Sequence, residues 1–156
     1  MLEVGIISDT HGLLRPEALE ALAGCELILH AGDVGSPDIL ERLAALAPVE
    51  TVRGNVDRGE WAEALPSKLE IPLGSLVLYL HHGHLAVAEE ELGGFGVVVQ
   101  GHSHRPVVLE RNGTLYMNPG SAGPRRFRLP VTLARLRVDG RNAQAELIDL
   151  LGERRR

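Results

Sequence analysis

Short β-branched and apolar runs in this chain stop, one after another, at small clusters of Asp, His, Asn and Gly. Val4–Ile7 runs into Ser8-Asp9-Thr10-His11, and Glu26–His30 into Gly32-Asp33. Val49–Arg53 leads to Gly54-Asn55-Val56-Asp57, Leu76–His81 to His82-Gly83-His84, and Val97–Gln100 to Gly101-His102-Ser103-His104. Between the first three runs lie amphipathic segments at helical period. Pro16–Leu22 has Pro near its first turn and Gly24 past its end; Pro37–Ala47 follows Ser36 as an N-cap and stops at Pro48. A β-α-β-α-β opening demands a parallel sheet with crossover helices. In such sheets the loops at the C-terminal strand ends converge on the ligand site.

The second half reads as hairpins. Lys68–Ile71 and Leu76–His81 flank Gly74-Ser75, and Val107–Glu110 and Thr114–Met117 flank Asn112-Gly113. Val131–Val138 and Ala143–Leu150 pair around Asp139-Gly140. A short helix is expected within Ala86–Leu92, and the tail Glu153–Arg156 is expected to be a solvated end. With 156 residues and no repeat or long linker, one domain over 1–156 is expected.

Composition narrows the function classes. Cys25 is the sole cysteine, which excludes an internal disulfide and suits a cytoplasmic setting. No apolar run approaches a membrane span or a signal peptide, so no membrane partner is expected. The net charge of −5 and the low aromatic content argue against long nucleic acid. An anionic ligand therefore needs a local positive centre.

The polar clusters can supply one. Residues i and i+2 on an extended chain face the same way. Asp9 with His11, and His102 with His104, can thus each aim two side chains into one cavity. Imidazole and carboxylate without thiolate suit Mn, Fe, Ni or Zn. Two carboxylates, four histidines and an Asn exceed the needs of one four-coordinate ion. Two divalent ions sharing a carboxylate account for the surplus, and ions roughly 3.5–4 Å apart are the usual clamp for displacement at phosphorus.

The series DxH…GD…GNxD…HGH…GHxH, in this order from Asp9 to His104, resembles the calcineurin-like metallophosphoesterase superfamily. The short length and Asn118-Pro119-Gly120-Ser121 are similar to its small prokaryotic YfcE-like phosphodiesterase branch. The resemblance implies an α/β fold, a four-layer α-β-β-α sandwich of two packed mixed sheets with flanking helices. It implies one ion, Mn first, on Asp9, His11, Asp33 and His104, and a second on Asp33, Asn55, His82 and His102. Asp33 would bridge, together with a metal-activated hydroxide that attacks a small phosphate ester. Two divalent ions less Asp9, Asp33 and one hydroxide leave about +1, which attracts a phosphate despite the acidic chain. The superfamily often has His where this chain has Val56; Val can neither hold the phosphate nor protonate the leaving group.

Other residues carry less specific signals. Asp33 and Asn55 are the expected catalytic groups, with His84 as a proton relay or outer donor; Asn55, Asn118 and Arg125 are the expected substrate contacts. His81 and His82 are strand neighbours on opposite faces, so only His82 is expected to ligate. His30 and Asp57 are expected to support the ligands, and Trp61 either caps the mouth or packs. Against hydrolysis stand a non-catalytic protein-interaction scaffold of the same fold, as in the related retromer subunit, and a nuclease for short oligonucleotides. Intact ligand positions favour the enzyme. Self-association is left open by the sequence.

Overall fold

The computed structural model describes residues 1–152, so the tail Glu153–Arg156 lies outside the described residues. Two five-stranded sheets form the molecule. The first has the order β10-β9-β1-β2-β3, built from β1 (Leu2–Ile7), β2 (Leu27–His30), β3 (Val49–Thr51), β9 (Thr132–Asp139) and β10 (Asn142–Asp149). The second has the order β4-β5-β6-β8-β7, from β4 (Lys68–Leu73), β5 (Leu76–His81), β6 (Val97–Val99), β7 (Val107–Arg111) and β8 (Thr114–Asn118). Both are mixed. β1, β2 and β3 run parallel, β9 runs antiparallel beside β1, and β10 runs antiparallel to β9 at the edge. In the second sheet β5, β6 and β8 run parallel between antiparallel β4 and β7.

Strand alternation decides which faces meet. Val4, Ile6, Leu29 and Leu136 face Leu73, Leu78, Leu80, Val97, Val99 and Met117 across the core between the sheets. Ile7, Ile28 and Leu133 turn the other way, onto α1 (Pro16–Leu22) and α2 (Pro37–Ala44) through Ala18, Leu22, Ile39 and Leu43. The outer layer on the second sheet is thin: its helix, α4 (Glu89–Leu92), has four residues and no buried side chain. No helix among the described residues is long and apolar enough to cross a membrane.

The sequence expectations hold in outline, with local differences. Asn112 and Gly113 both have positive φ, the geometry of a two-residue hairpin turn. Ser36 stands at the N-cap of α2 in extended conformation, but its hydroxyl donates to the Asp38 carboxylate instead of a backbone amide's taking it as acceptor. α2 ends at Ala44, short of Pro48, and Leu46 and Ala47 turn back onto the Leu43 carbonyl. The one-turn α3 (Glu60–Glu63) has no periodic signal in the sequence because it is shorter than two turns.

One packing constraint deserves a number. Gly5 sits in β1 under α1, where an added Cβ would collide with Leu22 Cδ2 and stand 3.2 Å from Cys25 Sγ. The helix thus rests on bare strand backbone. Gly5→Val is expected to destabilise the fold by about 1–3 kcal/mol through overpacking, measured as a lower urea midpoint at unchanged slope.

Candidate metal centre

The parallel strands of both sheets release their loops at one end. β1 delivers Asp9 and His11, β2 Asp33, and β3 Asn55; from the second sheet, β5 delivers His82, and β6 His102 and His104. Backbone bonds sew the first two loops together: Asp9 N–H to Gly32 O at 3.0 Å, His11 N–H to Asp33 O at 2.9 Å, and Gly12 N–H to Val34 O at 2.9 Å. Among the described residues seven non-glycines have positive φ, and five of them are Asp9, His11, Asp33, His102 and His104. Such conformations cost of order 1–3 kcal/mol each and cluster where function requires them.

Glycine makes the approach of these loops feasible. A Cβ at Gly54 would collide with the Asp33 amide and Oδ1, and one at Gly101 with Ser8 Oγ. At Gly32 it would stand 2.8 Å from His82 Nδ1. No side chain fits at these positions without moving a candidate ligand.

The donor atoms fall into two groups. Asp9 Oδ1, His11 Nε2 and His104 Nε2 form the first, with His104 3.4 Å from Asp9 and 3.3 Å from His11, and His11 3.8 Å from Asp9. Asp33 Oδ2, His82 Nε2 and His102 Nδ1 form the second, with His82 3.1 Å from Asp33 and 3.3 Å from His102. Asn55 Oδ1 joins it, 2.9 Å from His82 Nε2. Asp33 Oδ2 is also 3.7 Å from His11 Nε2, so it lies between the groups. Donors bound at about 2.0–2.2 Å around one ion sit roughly 3.0–3.5 Å from one another, close to these spacings.

The electrostatics ask for a cation. His82 Nδ1 lies 2.8 Å from the Ala31 carbonyl and must carry the proton there. Neutral His82 therefore turns a lone pair at Nε2 towards Asp33 Oδ2, Asn55 Oδ1 and His102, all of which can accept. Asp9 is fully buried, and its Oδ1 has no hydrogen-bond partner. An orphaned buried carboxylate oxygen beside two imidazole nitrogens fits a divalent ion. The titration shifts point the same way. Burial pulls the Asp33 carboxyl up, but bonds from His82 and the Val56 amide hold it at about 2. Burial pulls His82 down, yet Asp33 and Asp9 raise it above its usual value, as though a proton stood in for the ion. His11 is lowered, chiefly by burial.

A second layer fixes the ligands. Ser8 Oγ donates to Asp9 Oδ2 at 2.6 Å, and the His102 amide to the same oxygen at 3.1 Å. Asp57 accepts from the amides of Val34, Gly35 and Gly54, which locks the Asp33 and Asn55 loops together. His30 is buried; its Nδ1 accepts from the Gly32 amide and its Nε2–H donates to Thr10, whose hydroxyl donates on to Val34 O. Burial lowers the His30 pKa to about 4, so it is neutral.

The remaining sequence candidates have distinct places. Asn118, expected as a substrate contact, is 1 % exposed. Its Nδ2 donates to Gly101 O and Ser103 Oγ and its Oδ1 accepts from Gly120, so it braces the loop of His102 and His104. His84 is exposed, its ring 5.3 Å from that of His82 and 6.2 Å from that of His102. Arg125 is exposed in the turn after Ser121, and Trp61 packs against the helix-side core. His81 shares the opposite face of β5 with Tyr79, ring centroids 5.2 Å apart. The sequence reading missed Ser8 and Ser121, whose hydroxyl donates to Asp9 O at 2.9 Å, because a serine at a strand end has no distinctive signal. Arg126, which the sequence marks only as part of the basic run Arg125, Arg126 and Arg128, brings its charge within reach of His11.

Comparison with known proteins identifies the family. The profile of the calcineurin-like phosphoesterase superfamily domain matches residues 2–141, and the chain belongs to that family. A probable metallophosphoesterase of Methanothermobacter thermautotrophicus is 40 % identical over 159 residues, covering 93 % of this chain and 91 % of that protein. The phosphodiesterase YfcE of Escherichia coli is 31 % identical, covering 78 % and 79 % of the two chains. Vps29 of Chaetomium thermophilum superposes with a TM-score of 0.79 at 20 % identity, covering 95 % and 97 %, and so shares the fold.

Two expectations follow. Asp33 Oδ2 is near both donor groups, so Asp33→Asn should lower metal content at both sites, whereas Asn55→Ala should lower it at one. Elemental analysis of reconstituted protein checks this; equal occupancy in the two variants rejects the shared oxygen. The second concerns pH. Unfolded His30 takes a proton near 6.5 and folded His30 only near 4, so the unfolded state binds more protons in this window. Stability is lost as pH falls through it, by about 1.4 kcal/mol per unit and on the order of 3 kcal/mol in all. Urea unfolding at pH 7 and pH 4 should show that extra loss in the wild type and not in His30→Gln.

Proposed function

We propose that this chain is a metal-dependent phosphodiesterase that hydrolyses a small phosphate ester at a two-ion centre. The observation that carries this reading is the orphaned Asp9 Oδ1 together with Asp33 Oδ2, which lies 3.1 Å from His82 Nε2 and 3.7 Å from His11 Nε2. Asp9, His11, Asp33 and His104 would hold one ion, and Asp33, Asn55, His82 and His102 the other. Mn²⁺ suits the imidazole and carboxylate donors best, with Fe, Ni or Zn as alternatives. When bound, the ions supply charge for the phosphate and lower the pKa of water.

The chain's own groups do the rest. Asn55 faces the second group through Oδ1, which leaves Nδ2 for a phosphate oxygen. Arg125 offers charge to the same phosphate from the turn beside Asp9. Val56 is 44 % exposed next to Asn55 and has no proton to give. His84, exposed beside His82, is the group available to carry a proton to the departing oxygen. Substrates whose leaving group departs unprotonated therefore suit this site best. A scaffold role of the kind considered above would not require an intact donor set, and here every expected ligand position holds one.

Bis(p-nitrophenyl) phosphate is a fitting probe, since nitrophenolate needs no proton. Removing metal with a chelator should abolish its hydrolysis, and added Mn²⁺ should restore it. Full activity in a sample shown by elemental analysis to be metal-free rejects this function.

A further inference from the structure

The turn between Gly123 and Pro130 holds a side chain that neither burial nor backbone geometry calls for. Phe127 is 87 % exposed, the most exposed of the large apolar residues. Its φ is +57°, in the left-handed region that Gly or Asn occupies without strain and a bulky residue does not. Leu129 N–H closes the turn on Arg126 O at 3.2 Å, so the ring projects from a defined bend. The chain has only two Phe residues, and this one is kept in water on a strained backbone.

The turn grows out of the wall of the metal centre. Ala122 N–H donates to Ser8 O, Ser121 Oγ to Asp9 O, and the Arg15 guanidinium to Gly123 O. Gly123 lies so close to the Thr10 carbonyl that it has no room for a Cβ. From there to Phe127 is four residues, at most about 14 Å of chain. Arg126 and Arg128 flank the ring and are exposed, and the Arg126 charge reaches His11. Val56 and Leu13, next to Asn55 and two residues from His11 in the chain, are 44 % and 39 % exposed and add apolar surface near the donor groups. A cationic rim with one flat apolar platform matches a ligand that has a phosphate and a flat aromatic ring.

We propose that this turn selects phosphodiesters that carry a nucleoside, with Phe127 stacking on the base and Arg126 pairing with the phosphate charge. The proposal rests on the hydrolytic reading of the centre. Stacking on a single ring is tolerant of base identity and suits a short nucleotide, whereas a long strand would need a series of such platforms and a basic groove. A simple alkyl phosphodiester presents nothing for the ring to stack on.

Two substrates with the same leaving group isolate the effect: thymidine 5′-(p-nitrophenyl phosphate) and ethyl p-nitrophenyl phosphate. In both, water adds to phosphorus and the P–O bond to nitrophenolate breaks; only the retained group differs. With Mn²⁺-loaded protein, kcat/KM for the nucleoside ester is expected to exceed that for the ethyl ester by about tenfold or more. Phe127→Gly, which suits the left-handed backbone, should remove most of that preference, and Phe127→Trp should keep it. Equal kcat/KM for the two esters in the wild type, or a Gly variant that lowers both alike, overturns the proposal. If neither ester is hydrolysed the hydrolytic reading fails separately, and stacking is then read from calorimetry of thymidine monophosphate. A Kd at least tenfold weaker in Phe127→Gly supports the platform; an unchanged Kd overturns it. A wild type that dimerises in sedimentation while Phe127→Gly stays monomeric overturns it in favour of a self-contact.

Discussion

Two carboxylate oxygens, Asp9 Oδ1 and Asp33 Oδ2, lie buried within a few ångströms of three imidazole nitrogens and have too few protons between them. Burying charge without a partner costs several kcal/mol per ion, and the Asp9 Oδ1 atom has no hydrogen-bond partner among the described residues. A partial remedy is open to His82, whose pKa the Asp33 and Asp9 carboxylates raise against the pull of burial. A divalent ion would remove the deficit in each group. Metal binding and folding would then be one equilibrium for this end of the molecule, because ligands held apart in the unfolded chain gain a cation only when the loops close.

The strain around the centre follows from that constraint. Left-handed backbone at Asp9, His11, Asp33, His102 and His104 would be a liability in a protein with nothing to hold there. The structure over-determines these conformations instead. Asp57 gathers three amides from two loops, Ser8 and the His102 amide fix one Asp9 oxygen so that the other faces the site, and Asn118 ties down the Gly101–Ser103 loop. His30, neutral and buried, transmits the same rigidity from Gly32 to Thr10. Most of these bonds involve backbone groups, so the loops are positioned as units.

Much of this was legible in the sequence, and the reasons for the rest are physical. Apolar runs ending in Asp, His and Asn marked the strand ends, and the order of the motifs carried the ligand set. The route was only half right. An extended i, i+2 pair should aim alike, yet His102 and His104 enter different donor groups because both are left-handed, which no residue pattern announces. Asn118 faces the loop behind the site, where its Nδ2 donates to the Gly101 carbonyl and Ser103 Oγ, an orientation that the residue type alone leaves open. Phe127 gave no signal, and Arg126 only that of a basic run, because their meaning lies in where the turn is rooted, 112 residues along the chain from Asp9 at the Ser121 bond.

The two-sheet architecture explains why such a site needs so small a chain. Asp9, His11, Asp33 and Asn55 come from the first sheet, and His82, His102 and His104 from the second. Each donor group contains members from both. The spacing of the ligands is therefore set by the apolar layer between the sheets, where Val4, Ile6 and Leu29 meet Leu78, Leu80 and Val99. Close-packed interiors are stiff and transmit small displacements, so that layer acts as a ruler for the centre at its end. Ions held by donors from both sheets would in return tie together two layers that otherwise touch mainly through apolar contact. Surface loops such as the turn at Phe127 lie outside that layer, so a change in them leaves the distance between the donor groups undisturbed.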